Sequence, residues 1–349
     1  MRTKYGVSLA ATIIALSSHP GVAQHQHPSE AGPAIEASGG AVIGGVLWLA
    51  DAPPAGRRAA ADVPRSQGTS ETDVGERAMN HADFKHLWLR QGTAPAQSAP
   101  VAAAEPLPPL HVVAATGDSW DVAPTADGGN AHAQIAVSEM GFYNAYLTRA
   151  AIVDGHLDAT VAKAEVLKGT CCKKGVDAIQ ETAISDPGQP IELVRDHMPD
   201  EKLFTRLVSG DQIAFTVTSF GKPLAGAVVT LATQQGWSKT VVSGADGRVA
   251  FTLIRDYFPD WNKFWRLNRQ TFLVTAEAAT GPGSWQGQPF QSARLRTSLA
   301  GKYSPSPTDY RSYAFGLGIS GGVLVFLGTA IYLYRRRRVR PFQEVRLDA

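Results

Sequence analysis

Between residues 192 and 300 apolar and polar side chains alternate. Ile213, Phe215 and Val217 are separated by Ala214, Thr216 and Thr218, and the same spacing returns at Val249, Phe251 and Leu253 and at Phe272, Val274 and Ala276. A period of two sends successive side chains to opposite faces, so each run predicts a strand with one buried face. Residues 228–232 read as a further strand, with Gly221-Lys222-Pro223 and residues 243–247 as turns on either side. Upstream, residues 142–153 and 157–167 form two more runs. The dipeptide Asp154-Gly155 between them supplies the positive φ angles of a tight hairpin. Residues 157–168 are rich in Ala and Lys and also fit an amphipathic helix. Short strands, Gly-rich turns and no long amphipathic helix predict a mainly β chain with two Ig-like or transthyretin-like β-sandwich domains, 110–188 and 189–300.

The ends carry different patterns. Arg2 and Lys4 precede an apolar run, residues 6–16, and the small residues Gly21-Val22-Ala23 follow, the order of a signal peptide spanning 1–23. Residues 314–334 are 21 positions without a charge. As a helix they measure about 31 Å, close to the hydrocarbon thickness of a bilayer. Tyr310, Tyr313, Tyr332 and Tyr334 flank this run, and Arg335, Arg336, Arg337, Arg338 and Arg340 follow it. Arginines at one edge of a span stay in the cytoplasm. The expected location is therefore the cell inner membrane, crossed once, with the N-terminal domains in the periplasm and a short cytoplasmic tail, 335–349. Residues 301–313, with Ser304-Pro305-Ser306-Pro307, read as a stalk.

Charge and composition narrow the picture. Setting aside residues 1–23 and those after Tyr334 leaves 25 Lys and Arg against 29 Asp and Glu, a net of −4. That balance gives nucleic acid no electrostatic footing. Residues 24–109 are rich in Ala, Pro, Gly and Ser and read as a flexible segment. Two patches in it look ordered: residues 41–50, with Trp48, as a strand or docked arm, and residues 83–90, with Phe84 and Trp88, as a short helix or strand. Only two cysteines are present, Cys171 and Cys172, so a hydrophobic core rather than a disulfide framework holds the fold.

Candidate chemistry is sparse. The chain has no Gly-rich phosphate loop and no H-E-x-x-H helix, and is not expected to be an enzyme. His25 and His27 suit a transition metal at a mobile chain end, or are a solvated polar leader. Met79, His81 and His86 combine thioether and imidazole, a copper-type set if a loop gathers them; the plainer reading is loop residues beside an aromatic anchor. The adjacent Cys171 and Cys172, flanked by Lys168, Lys173 and Lys174, fit a vicinal disulfide, a soft-metal site or a simple closed turn. His111, His132, His156 and His197 stand singly and read as surface histidines. Tyr257, Phe258, Trp261, Phe264 and Trp265, interleaved with Arg255, Lys263, Arg266 and Arg269, read as a partner-docking window or as a cap on the sandwich core.

Gly221-Lys222-Pro223-Leu224-Ala225-Gly226-Ala227-Val228-Val229, followed by residues 243–251 with Asp246-Gly247 before Phe251, resembles the carboxypeptidase-regulatory-like sandwich. With Gln189-Pro190-Ile191-Glu192-Leu193-Val194 upstream, the stretch is similar to a family of periplasmic accessories of nickel and cobalt uptake. The resemblance implies a non-enzymatic membrane accessory that binds Ni, Co or Cu or assists a metal transporter. The competing expectation is an interaction module that docks an envelope or membrane-complex protein without metal.

Overall fold

Alternation becomes strand wherever the structure describes the chain. The computed structural model describes residues 45–53, 84–103, 107–168, 184–197, 205–257 and 269–339, excepting the side chains of 307–312. The chain is mainly β, with sandwich-like sheets and a C-terminal helix. In order the strands are β1 Val46–Ala50, β2 Phe84–Gly92, β3 Ala99–Pro100, β4 Leu110–Ala114, β5 Ser119–Val122, β6 Thr125–Asp127, β7 Asn130–Ala136, β8 Gly141–Val153, β9 His156–Lys168 and β10 Glu192–Asp196. They continue as β11 Gln212–Ser219, β12 Lys222–Pro223, β13 Val228–Thr233, β14 Ser238–Val242, β15 Arg248–Thr252, β16 Gln270–Thr280, β17 Gly283–Trp285, β18 Gln288–Phe290 and β19 Ser292–Tyr303, before helix α1, Pro307–Arg338.

A central eight-stranded sheet runs β14-β13-β16-β19-β9-β8-β4-β5. Its neighbours are antiparallel except β19 and β9, which are parallel with Ser292 opposite His156 and Leu299 opposite Lys163. A first sheet, β1-β2-β7-β6 with β3 against β2, covers one face, and a third sheet of β10, β11, β12 and β15 covers the other. Alternate residues of β9 show the two sides. Leu157, Ala159 and Val161 join the core shared with Ile213, Phe215 and Phe251, whereas Ala162, Ala164 and Val166 join the core shared with Leu47, Leu87 and Ile135. A strand buried on both faces loses its polar alternation. That is why residues 157–168 also fit a helix by composition, and why they are a strand in fact.

The turns follow local chemistry. Asp154 and Gly155 take φ of 51° and 77° between β8 and β9. Phe220 and Gly221, at 48° and 73°, make the turn into β12, one residue before the expected position, so Lys222 and Pro223 are paired with β11.

Three boundaries differ from expectation. Central-sheet pairing passes across residues 188 and 189 through the parallel contact of β9 with β19, so the two halves share one sheet. The ordered patches inside residues 24–109 are core strands: Leu47 and Leu49 face one cluster while Trp48 and Ala50 pack on Leu273 of β16 and Ala300 of β19. Trp48 Nε1 donates to Ser98 Oγ at 2.9 Å, and Ser298 Oγ donates to the Leu47 carbonyl at 2.6 Å. An indole with a satisfied N–H brings a large apolar area into a core, which outweighs the weak local patterning of this region. Finally, residues 301–306 are no stalk. Tyr303 ends β19 buried, Ser304 is buried and bridges Val208, and Ser306 N donates to Ser209 Oγ at 2.8 Å.

The described side chains of α1 from Tyr313 onward are exposed, and an 18-residue apolar window within Tyr313–Arg338 has a mean hydropathy of 1.9. A largely apolar helix whose described side chains are exposed on every side is long enough to cross a bilayer, and it fits membrane association. Residues 1–23 lie outside the described residues.

Candidate functional site

The buried charged side chains Lys163 and Glu192 meet where β8, β9 and β10 come together. Along β9 the row Leu157, Ala159, Val161 continues as Lys163 and Glu165, so one strand face turns from apolar to charged partway along. In the β8–β9 register Tyr146 stands opposite Lys163, and Asn144 opposite Glu165. β10 lays Glu192 over them from the third sheet. Lys163 and Glu192 are each 1% exposed, Asn144 2% and Tyr146 fully buried.

Glu192 is the hub. Its Oε1 accepts from Lys163 Nζ at 2.6 Å and from Tyr146 OH at 2.7 Å. Its Oε2 accepts from Ser185 Oγ at 2.8 Å and from Asp186 N at 3.0 Å. Lys163 Nζ also donates to the carbonyls of Leu193 at 3.0 Å and Ile184 at 3.3 Å. Asn144 Nδ2 donates to the same Ile184 carbonyl at 2.8 Å and reaches Tyr146 OH at 3.3 Å. Asn144 Oδ1, by contrast, is buried with no hydrogen-bond partner among the described residues. Burial, and then the Glu192 carboxylate, push the Tyr146 phenol far upward, so it stays protonated and donates.

A second cluster adjoins the first. Arg195 donates to Glu165 Oε1 through Nε at 3.2 Å and Nη2 at 2.8 Å. His197 Nε2 lies 3.1 Å from Arg195 Nη2 and 3.7 Å from Glu165 Oε1, with its ring edge-on to Phe142 at 4.8 Å. Burial raises the Glu165 carboxyl, but Arg195 and His197 outweigh it and bring it down to about 2. Both clusters tie the central sheet to β10 with charge-assisted hydrogen bonds, among the stronger kinds in a dry interior.

Of the residues expected to bind metal, His25, His27, Met79, His81, Cys171 and Cys172 lie outside the described residues. His86 is described, on the exposed face of β2, where its ring stacks on that of His132 at 5.8 Å and 20°. The Trp88 ring also stacks on His132, at 4.9 Å and 24°. Face-to-face rings do not aim nitrogen lone pairs at a common point. Burial, then the neighbouring His132, lower the His86 imidazole. Among the described residues no three His, Cys, Asp or Glu side chains come together as a metal-binding group. Lys168, the last described residue before the cysteine pair, lies at the end of β9 that points the same way as the end of β19.

Of the aromatic window only Tyr257 is described; Phe258, Trp261, Phe264 and Trp265 lie outside the described residues. The segment leading to Tyr257 is fixed at the foot of α1. Arg255 Nη2 reaches Tyr313 OH at 3.4 Å, with its guanidinium 5.6 Å from the tyrosine ring. Asp256 accepts from Tyr303 OH at 2.9 Å and from Thr233 Oγ1.

The Lys163–Glu192 network has no signature in the sequence. Its only trace is a lysine and a glutamate in the apolar row of a strand, which is as easily read as a solvated edge. No family model matches the chain, and no curated protein matches it. Among solved structures it is similar to a chain described as a biofilm associated protein, BSP domain, at 12% identity and a TM-score of 0.16. The match covers 63% of this chain and 28% of that one, so this chain spans under a third of the matched length. A likeness this slight assigns neither fold nor role.

Proposed function

We propose that the chain is a non-enzymatic, single-span membrane protein whose β body docks a partner in the same membrane, from the periplasmic side of the inner membrane. One observation carries this reading: Arg255 packs on Tyr313 at the start of α1, while Asp256 is held by Tyr303. Tyr257, which opens the aromatic window, therefore stands at the foot of the apolar helix. Aromatic and arginine side chains are the types enriched in protein interfaces. β19 meets α1 with no stalk between them, so the body keeps this end towards the bilayer instead of sampling a large volume. The arginines at the far end of α1 support a cytoplasmic side for that end, by the preference of basic residues for the inner face. The resemblance carried by residues 221–229 and 243–251 makes a nickel or cobalt uptake complex the first partner to test.

The test is site-specific photocross-linking of the full chain in its native membrane. A photoreactive residue at 257 is expected to capture an integral membrane protein. The same residue at Val153 is expected to capture none, because it sits at the exposed β8–β9 tip, the end of the central sheet away from α1. Capture at 257 is expected to disappear in Trp261→Ala with Trp265→Ala. Equal capture at both positions, or capture indifferent to the tryptophans, sinks the docking role. Binding of Ni(II), Co(II) or Cu(II) by the purified full chain tighter than about 10 μM, roughly −7 kcal/mol, would instead favour direct metal binding.

A further inference from the structure

We propose that Lys163 and Asn144 join through an intramolecular amide cross-link in the folded chain, with Glu192 as the proton carrier. This goes beyond the docking role and does not depend on it. Three observations converge. First, Asn144 and Lys163 lie on one face of the β8–β9 hairpin, two positions out of register. Such diagonal neighbours are about 7–8 Å apart at Cα, within the combined reach of lysine and asparagine side chains. Both nitrogens already donate to one atom, the Ile184 carbonyl, at 3.3 and 2.8 Å. Second, the Lys163 amine is 1% exposed and sits 2.6 Å from Glu192 Oε1. Transferring one proton across that hydrogen bond leaves two neutral groups where water cannot solvate charges, and exposes a lone pair on Nζ. Third, hydrogen bonds hold the Asn144 side chain by its amide nitrogen alone. Its Oδ1 is buried with no hydrogen-bond partner among the described residues, an unfavourable state for an amide oxygen.

The step balances without any co-reactant. Lys163 Nζ gives a proton to Glu192 Oε1 and attacks Asn144 Cγ, forming the Nζ–Cγ bond as the C=O electron pair moves onto Oδ1. Glu192 returns a proton through Tyr146 OH, which is 2.7 Å from Oε1 and 3.3 Å from Asn144 Nδ2. The Oδ1 electron pair re-forms the carbonyl, the Cγ–Nδ2 bond breaks, and ammonia leaves carrying the returned proton. Glu192 then takes the second Nζ proton, which the attack left on the new amide nitrogen, and passes it to the departing ammonia, so the leaving group is ammonium and the product is a secondary amide linking β8 to β9, with Glu192 restored as the carboxylate. No atom is oxidised or reduced. Burial excludes water, which would otherwise compete for Cγ.

Mass spectrometry of the full chain, extracted in detergent and unfolded before measurement, tests this. The expected mass is that of the chain less one ammonia. Trypsin is expected to release residues 91–149 joined to residues 150–168, with the chain uncut at Lys163. Asn144→Ala and Lys163→Arg are expected to recover full mass and unlinked peptides. Asn144→Asp is expected to lose one water in place of ammonia. Glu192→Gln is expected to slow the loss about 100-fold or more, and Tyr146→Phe about tenfold or more. An unchanged mass in the wild-type chain, with peptide 150–163 recovered, overturns the proposal whether or not any variant folds. So does a lysine linkage to Glu192 accompanied by loss of water. Wild-type rates in Glu192→Gln overturn the role given to that carboxylate.

Discussion

Replacing Glu165 by glutamine isolates one charge at the junction of central and third sheets. Glu165 accepts two hydrogen bonds from Arg195 and lies 3.7 Å from His197, with its side chain 17% exposed. Burial alone would raise its carboxyl; the two cations win and hold it at about 2 against an ordinary 4.5. A depressed carboxyl stabilises the folded chain fully above its unfolded value, and that stability is lost as pH falls from about 4.5 to about 2. The difference corresponds to about 3 kcal/mol, at about 1.4 kcal/mol per unit. For a body of this size each kcal/mol shifts the melting temperature by about 2–4 °C, so Glu165→Gln is expected to melt about 10 °C lower at pH 7. The assay is thermal unfolding of the detergent-solubilised full chain, followed by tryptophan fluorescence from pH 7 to pH 2. Other carboxyl groups titrate in the same range, so the informative quantity is the gap between wild type and variant. It is expected to be full above pH 5 and to close towards pH 2. A gap that stays constant with pH would show that Arg195 and His197 do not hold Glu165 ionised.

Two further outcomes follow from packing and charge elsewhere in the body. Burial, with Lys168 and Lys302 adding repulsion against the opposing pull of Asp51, lowers the Lys85 amine to about 8. Limited acetylation at pH 8, read by peptide mass spectrometry, is therefore expected to label Lys85 about tenfold faster than the exposed Lys222 and Lys239; equal or slower labelling contradicts the lowered amine. At Gly301 of β19 an added Cβ comes 2.3 Å from the tip of the Phe272 ring. Gly301→Ala is expected to destabilise by about 1–3 kcal/mol, measured as a lower melting temperature, and Phe272→Leu in the same chain is expected to recover much of it; no loss in the single variant would mean the ring moves aside freely.

Local chemistry made the strands legible and left their arrangement hidden. Ile213, Phe215 and Val217 announce β11 because one face meets a core and the other is half-buried. Asp154-Gly155 announces its hairpin because few other dipeptides tolerate two positive φ angles in succession. The partner of β19 is another matter: β9 lies more than a hundred residues away, and a parallel contact leaves no turn in the sequence to mark it. For the same reason the division near residue 188 reads as a domain boundary, although the central sheet runs through it. Trp48 and Trp88 hint that the first strands are core, but the Ala- and Pro-rich composition around them masks the signal. Neither polar cluster was legible. Lys163 and Glu192 are nearly thirty residues apart, and only the stacking of the third sheet on β9 turns two ordinary charged residues into a buried pair.

The route by which the body meets the membrane unites the polar clusters with the proposed role. β19 pairs with β16 from Ala293 to Tyr303 and with β9 from Ser292 to Leu299, and its end passes through the Ser304–Val208 bridge into α1. Force or orientation imposed by the helix therefore enters the middle of the central sheet rather than a loose terminus. β9 receives it next, and β9 carries both Lys163 and Glu165, the side chains that tie the central sheet to β10. An amide between Lys163 and Asn144 would extend that path covalently into β8. A module that docks a partner within a bilayer gains from such stiffness, since a fixed orientation raises the effective concentration of its docking face, whereas a flexible stalk dilutes it. The apolar helix, the absence of a stalk at residues 301–306 and the charged seam at β9 are in this sense one mechanical unit.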